Sequence, residues 1–167
     1  MASIVLREPR ADDAAAIAQL TVELGLYYSQ LAPELFAPVA ADGLAELATS
    51  DADWYARPVT FAAVAEIDGE VAGYLEASIQ EPGENARFDV NRDLRTRHLY
   101  ISYVATAEAH KRKGVATQLV QAAEDWARSR GVTLALTDTY VDSPQSVPFW
   151  EERMGYKRRA IRLRKVL

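Results

Sequence analysis

Four consecutive cationic or potentially cationic side chains, His110, Lys111, Arg112 and Lys113, run straight into Gly114, and the chain beyond them turns helical. That order suits an anion. Free N–H groups at a helix start point outward, and the helix dipole adds ~0.3 to 2 kcal/mol of attraction for a negative group placed there. A glycine at the junction lets the backbone approach a phosphate closely. By residue type alone, the same run is equally a solvated loop closed by a turn glycine.

Other chemistries have less to work with. The sequence holds no cysteine, so a disulfide framework, a thiol nucleophile and a thiolate zinc site are excluded, and two histidines, His98 and His110, make a poor start for another metal cluster. The phosphate-binding pattern Gly-x-x-x-x-Gly-Lys-Ser/Thr is absent, which disfavours nucleotide hydrolysis. A second basic run, Lys157 to Lys165, raises nucleic-acid binding as a class. Its charges flank Ile161 and Leu163 as in an edge strand, and no aromatic side chains interleave to stack on bases, so no nucleic-acid partner is expected.

The chain has 167 residues, 49% apolar and 26% charged, which fits one globular domain over 1–167 with a real core. The net charge of −5 hides a division: residues 1–90 carry 16 acidic and 4 basic side chains (−12), and residues 91–167 carry 8 and 15 (+7). An anion-attracting face therefore belongs to the second half. No apolar stretch approaches the ~18 to 20 residues that span a bilayer, and the first ten residues include Arg7 and Glu8 rather than an apolar leader. A cytoplasmic protein without a membrane partner is the expectation.

The elements that must position the basic turn are legible from periodicity. Ile4 to Arg7 predicts a strand, and Asp12 and Asp13 open a helix carrying Ile17, Leu20 and Leu24 up to Gly25. Leu44, Leu47 and Ala48 share a helical face within the proline-punctuated stretch from Tyr27 to Arg57. Val59 to Ile67, Asp68-Gly69 and Val71 to Ile79 predict a tight hairpin. Residues 81–97 form a loop longer than the ~12 to 15 residues usual without a functional reason. Leu99 to Ala105 is a strand. From Val115 two adjacent apolar rows, Val115, Leu119, Ala122, Trp126 and Ala116, Val120, Ala123, Ala127, predict a helix that ends at Gly131. Val132 to Leu136 as strand, Gln145 to Met154 as a short helix and Tyr156 to Val166 as a closing strand complete the order. The outcome is an α/β (α+β) three-layer fold with a mixed sheet and helices on both faces.

The whole segment resembles the acyl-CoA-binding core of the GNAT N-acetyltransferases. Their signature, Arg/Gln-x-x-Gly-x-Gly/Ala after a strand and opening a helix, is matched by Lys111-Arg112-Lys113-Gly114-Val115-Ala116 with Lys at the first position. The preceding strand, the helix ending at Gly131, the strand Val132 to Leu136 and the stretch from Ser143 to Tyr156 with Phe149-Trp150 and Gly155-Tyr156 extend the likeness, as does the N-terminal order.

The resemblance implies a splay between the strand ending near Thr106 and that near Leu134, taking the pantetheine arm of acetyl-CoA as co-substrate. Backbone groups of Val104 and Thr106 would pair with that arm, and the pyrophosphate would lie over the amides from Arg112 to Thr117, including Gly114, Val115 and Ala116, with Lys111 to Lys113 supplying charge. Ser143 and Trp150 would contribute from the closing helix. The implied reaction is direct acetyl transfer to a primary amine of a small molecule or protein. An amine of pKa ~10.4 must shed a proton to attack at pH 7, a barrier of roughly 4.6 kcal/mol. The family's base position falls on or near His98, with Tyr100, Ser102 and water relays equally open. The tyrosine that protonates the leaving thiolate in many members is missing: the pair reads Phe149-Trp150, and one extra residue separates it from Gly155, so Glu151 also competes for the position. Tyr140 is a candidate substitute. The acidic first half suits a cationic acceptor, with Glu34, Asp42, Glu76, Glu81 and Glu84 as candidate lining, and dimerisation through terminal strands is a family trait. The missing tyrosine also motivates an alternative, a non-catalytic acyl-CoA-binding or interaction module on the same fold.

Overall fold

The computed structural model describes residues 3–45 and 57–166. The helical reading at Leu47 and Ala48 lies outside the described residues. Close contacts divide the chain into two units, Met1–Thr137 and Asp138–Leu167.

The first unit is built on a five-stranded sheet in the order β1-β2-β3-β4-β5, formed by β1 (Ile4–Arg7), β2 (Thr60–Ile67), β3 (Glu70–Gln80), β4 (His98–Thr106) and β5 (Ala135–Thr137). The first four strands run antiparallel, and β5 joins β4 in parallel, so the sheet is mixed as expected. Asp68 (φ 53°) and Gly69 (φ 84°) turn β2 into β3, both in the left-handed region that a two-residue hairpin turn needs. Helix α1 (Ala14–Leu31) lies against β3 and β4, and α2 (Val115–Arg128) lies against β2, β3 and β4.

The two helices take opposite faces. Tyr74 and Ala105 cluster with Ile17 and Leu20 of α1, whereas Gly73, one residue earlier, abuts Val115 and Leu119 of α2. Neighbouring residues of a strand point to opposite faces, so the sheet is sandwiched. On the α2 side Leu75, Leu99, Leu119 and Val120 are fully buried, each worth ~1.5 to 3 kcal/mol of transfer from water.

Three expectations are corrected. Helix α1 runs past Gly25 to Leu31, because Gly25 is a packing position rather than a stop: a Cβ there would sit 2.5 Å from Val39 Cγ2. Strand β5 covers Ala135–Thr137 instead of Val132 to Leu136, since Val132 N–H closes the α2 terminus on Ala127 O at 3.1 Å. Tyr156 to Val166 forms no strand among the described residues. Its Ile161 and Leu163 are 78% and 89% exposed, and six basic side chains without an acid repel one another along it.

In the second unit, one helical turn (Ser146–Pro148) passes into a π-helical turn (Phe149–Arg153). Met154 N–H bonds Phe149 O five residues back at 3.0 Å. This wider turn absorbs the extra residue before Gly155 that the sequence spacing exposes.

Candidate functional site

Strand β4 carries the site, and its irregularity begins in the middle. Glu76 of β3 stands opposite Tyr103, and Ala77 opposite Ile101, so Ser102 is an additional residue bulged out of the ladder. On the other edge, β5 pairs with β4 only at Leu99↔Ala135, Tyr100↔Leu136 and Ile101↔Thr137. Thr137 Oγ1 donates to Ile101 O at 3.0 Å, at the final paired position of the β4–β5 ladder.

Beyond that point the alternation of the strand decides which groups are presented. Ala107 N–H donates to Ala72 O at 2.9 Å, toward β3. Counting back in steps of two, Ala105 and Tyr103 also turn their backbone to β3, and Val104 and Thr106 turn theirs to the side that β5 has left. The bulge at Ser102 sets this phase, because Leu99 N–H, on the other side of it, points to Leu134 O at 2.9 Å.

After β4 comes a turn, Glu108–His110, and then the basic residues. Lys111 Nζ lies 2.5 Å from Glu108 Oε2 and 5.5 Å from the centroid of the Tyr27 ring, so its charge is shared with α1. Arg112 and Lys113 are exposed, and Lys113 Nζ donates to His110 Nδ1 at 3.3 Å. Arg112 is held at φ 66°, a left-handed conformation that costs a non-glycine residue of order 1 to 3 kcal/mol. Gly114, at φ 89°, occupies the N-cap of α2, and no side chain caps that end. The first intrahelical bond is Gln118 N–H to Gly114 O at 3.1 Å, which leaves the amides of Val115, Ala116 and Thr117 directed outward. A Cβ placed on Gly114 would meet nothing within 4 Å, so the space above the turn is open.

The structure thus brings Val104, Thr106, Lys111, Arg112, Lys113, Gly114, Val115, Ala116 and Thr117 onto one continuous strand-turn-helix path. It sets His98 apart. That residue begins β4, roughly 10 Å short of the point where the strands separate, and is 7% exposed. Its Nδ1–H donates to Thr96 O at 2.8 Å.

Tyr140, Ser143 and Trp150 belong to the second unit. Tyr140 is half-buried, and its carbonyl accepts from Ser143 N–H at 3.0 Å. Ser143 is buried; its Oγ accepts from Ser146 N–H at 3.1 Å and its carbonyl from Val147 N–H at 3.2 Å, closing the helical turn. Trp150 is buried and meets Phe149 and Tyr156 edge to face, with centroids 5.0 and 4.9 Å apart. Glu151, the other candidate at the tyrosine position, accepts Arg158 Nε at 2.5 Å.

Sequence reasoning named Glu76 as candidate acceptor lining but missed the polar groups around it on the α1 face of the sheet. Tyr74 Oη donates to Glu76 Oε1 at 2.6 Å, and Tyr103 Oη shares a hydrogen bond with Thr21 Oγ1 at 3.0 Å. Burial pushes the Tyr103 phenol up to about 12 against the opposing Thr21 bond, so it stays protonated at neutral pH. The signal available in the sequence was the alternation Tyr74-x-Glu76-x-Ser78 on one face of a strand, but the partners on β4 and α1 needed the register.

Among the described residues no helix is long and apolar enough to cross a membrane, and no group of three or more His, Asp or Glu is placed to hold a metal. The model of the Acetyltransferase (GNAT) family matches residues 27–156. No curated protein matches. Among solved structures, a tetramutant of the BH1408 protein of Bacillus halodurans has a TM-score of 0.82 at 12% identity, covering 98% of this chain and 99% of that one. A Trypanosoma brucei acetyltransferase gives 0.65 at 20%, covering 99% and 100%. The aminoglycoside N-acetyltransferase AAC(6')-Iy, in complex with CoA, gives 0.65 at 17%, covering 99% and 96%.

Proposed function

Because the chain belongs to the GNAT family of acetyltransferases, we propose that it transfers the acetyl group of acetyl-CoA directly to a primary amine. One observation carries the reading: β4 leaves β5 after Ile101↔Thr137 and its unpaired edge leads straight to an uncapped helix end at Gly114. A linear amide-bearing arm ending in phosphates matches both halves of that path. Val104 and Thr106 would pair their backbone with the arm as another strand would. The amides of Val115, Ala116 and Thr117 would face the phosphates, with Arg112 and Lys113 adding charge.

When bound, acetyl-CoA supplies an activated thioester whose carbonyl carbon takes the amine nitrogen. The chain's own contribution is to hold that carbon at the opening of the splay beside Ser102. His98 and Tyr140 are assigned no step in this reading. His98 is buried below the opening, and Tyr140 is described within the second unit. A thiolate is already a tolerable leaving group, so lacking the tyrosine forgoes at most the ~10² to 10⁴-fold typical of general acid catalysis without abolishing transfer.

Acetyl-CoA that binds only the folded state stabilises it by ~2.7 kcal/mol at a hundredfold excess over Kd. The expected result is a raised melting temperature in the wild type and a smaller rise in Gly114→Ala, whose left-handed φ is strained for any residue with a Cβ and whose methyl enters the open space above the turn. No shift at millimolar acetyl-CoA overturns the reading. The packing of Trp150 between Phe149 and Tyr156, where many family members carry a proton-donating tyrosine, favours one second reading, a non-catalytic acyl-CoA-binding module. Thiol release above background with any amine rejects it.

A further inference from the structure

Glu76 is a carboxylate where the fold has little reason to place one. It lies mid-strand in β3, on the α1 face, with Ala62 as its cross-strand neighbour on β2 and Tyr103 on β4. Both neighbours pack against the apolar cluster beneath α1. Carboxylates are rarely set against such surfaces unless something holds them. One holder is Tyr74, itself 1% exposed, whose hydroxyl donates to Glu76 Oε1 at 2.6 Å.

The position relative to the proposed chemistry is specific. Glu76 is opposite the bulge: its backbone carbonyl accepts from Ser102 Oγ at 3.3 Å, and Ser102 directly follows the last residue paired with β5. The face beyond it opens, since Ser78 and Tyr100 are half-buried while Gln80 and Ser102 are exposed. On the opposite face α2 packs against β2, β3 and β4, and on this one α1 packs against β3 and β4, so the approach for an acceptor is where exposure rises on the Glu76 face, toward Ser78 and Gln80. Two other groups near the opening are poor proton acceptors there. Tyr103 keeps its proton to about pH 12, and His98 is ~13 Å up the strand from Ser102.

We propose that Glu76 receives the acceptor, binding the ammonium group of a cationic aliphatic amine and taking its proton. This rests on the acetyl-transfer reading above and names the acceptor class for it. The balance is complete without a further reagent. The ammonium R–NH₃⁺ gives one proton to the Glu76 carboxylate, the freed lone pair forms the C–N bond, and the C–S bond breaks with its electron pair leaving on sulfur. A second nitrogen proton passes to the thiolate, the third stays on the amide, and Glu76 returns its proton to solvent.

A purely structural role, accepting the Tyr74 hydrogen bond, makes a different prediction, because a glutamine oxygen accepts that bond equally well. The test is steady-state acetyl transfer by the full chain, with an alkyl diamine and with an arylamine that is already neutral at pH 7. Glu76→Gln is expected to lower kcat/KM for the diamine by ~10²-fold or more. Its KM for acetyl-CoA, its acetyl-CoA melting shift and its arylamine rate should stay at wild-type values. A variant as active as wild type on the diamine, or one that loses both amines equally, overturns the proposal. Tyr74→Phe keeps the carboxylate and removes the phenol hydrogen bond that orients it, so it should raise KM for the diamine alone; an unchanged KM counts against it. In the wild type, no acetyl-CoA melting shift overturns the underlying reading, whereas a shift without thiol release to any amine overturns this assignment and leaves the cofactor site standing.

Discussion

At the residue scale, the tightest electrostatic feature is remote from the proposed chemistry. Arg7 donates from Nη1 and Nη2 to Asp13 Oδ2 and Oδ1 at 2.6 and 2.7 Å, and from Nη2 to Glu66 Oε1 at 2.7 Å. Arg10 N–H adds a bond to Asp13 Oδ2 at 2.7 Å. Asp13 is only 5% exposed, and the Arg7 guanidinium holds its carboxyl below the usual range against the opposing effect of burial. A depressed carboxyl pKa contributes stability above the unfolded value, ~3.9, that is lost as pH falls through the lower folded value. Urea denaturation from pH 7 to 3 should therefore show a steeper loss for wild type than for Asp13→Asn, and equal slopes would refute the assignment. Arg7→Ala should cost ~3 to 5 kcal/mol at pH 7, because it strands a buried charge. None of this was legible in the sequence. Arg7 closed a strand and Asp13 opened a helix, while Glu66 lies 59 residues away and comes into reach only through the β1–β2 register.

At the scale of elements, the hairpin at Asp68-Gly69 and the strand-turn-helix from β4 into α2 were readable, because turn chemistry and a broad apolar face are local properties. The bulge at Ser102, which sets the phase of Val104 and Thr106, has no sequence marker; it exists only as a mismatch between two strands. Glycines misled and informed in turn. Gly25 looked like a helix end but lets the chain at Val39 approach α1. Gly73 plays the same part for α2, since a Cβ there would be 2.5 Å from Val115 Cγ1 and 2.8 Å from Ala105 O. Gly73→Ala should thus destabilise by ~1 to 3 kcal/mol and, by pushing away the first turn of α2, weaken acetyl-CoA binding. Adding Val115→Ala removes one of the two clashes, so the double variant should recover part of the lost stability in denaturant melts. Simple additivity would show that α2 is not seated on Gly73.

At the scale of the whole molecule, the charge division in the sequence acquires locations. The −12 half supplies β1 to β3 and α1, including Glu76, and the +7 half supplies the basic turn and the segment after Tyr156. That segment failed the strand expectation because alternating Ile161 and Leu163 indicate which face a strand would bury, not whether an edge is there to pair with. From Lys157 to Val166 it holds six basic side chains and no acid, with Val166 74% exposed as well. Arg158 bonds Glu151, and the backbone beyond Tyr156 is exposed and carries neither helix nor strand among the described residues. Such backbone fits a protease active site without prior unfolding, whereas the loop at 81–97 is tied by two 3₁₀ turns and by Arg97, which bonds Glu81 Oε1 at 2.6 Å and Arg130 O at 2.7 Å. Limited trypsin digestion followed by mass spectrometry should therefore cut first after Arg159, Arg162 and Arg164, before any cut after Arg87, Arg92 or Arg95. If the tail outlasts the loop at high protein concentration and is lost on dilution, a second copy covers it. In that case the exposure of Ile161 and Leu163 belongs to the isolated chain alone.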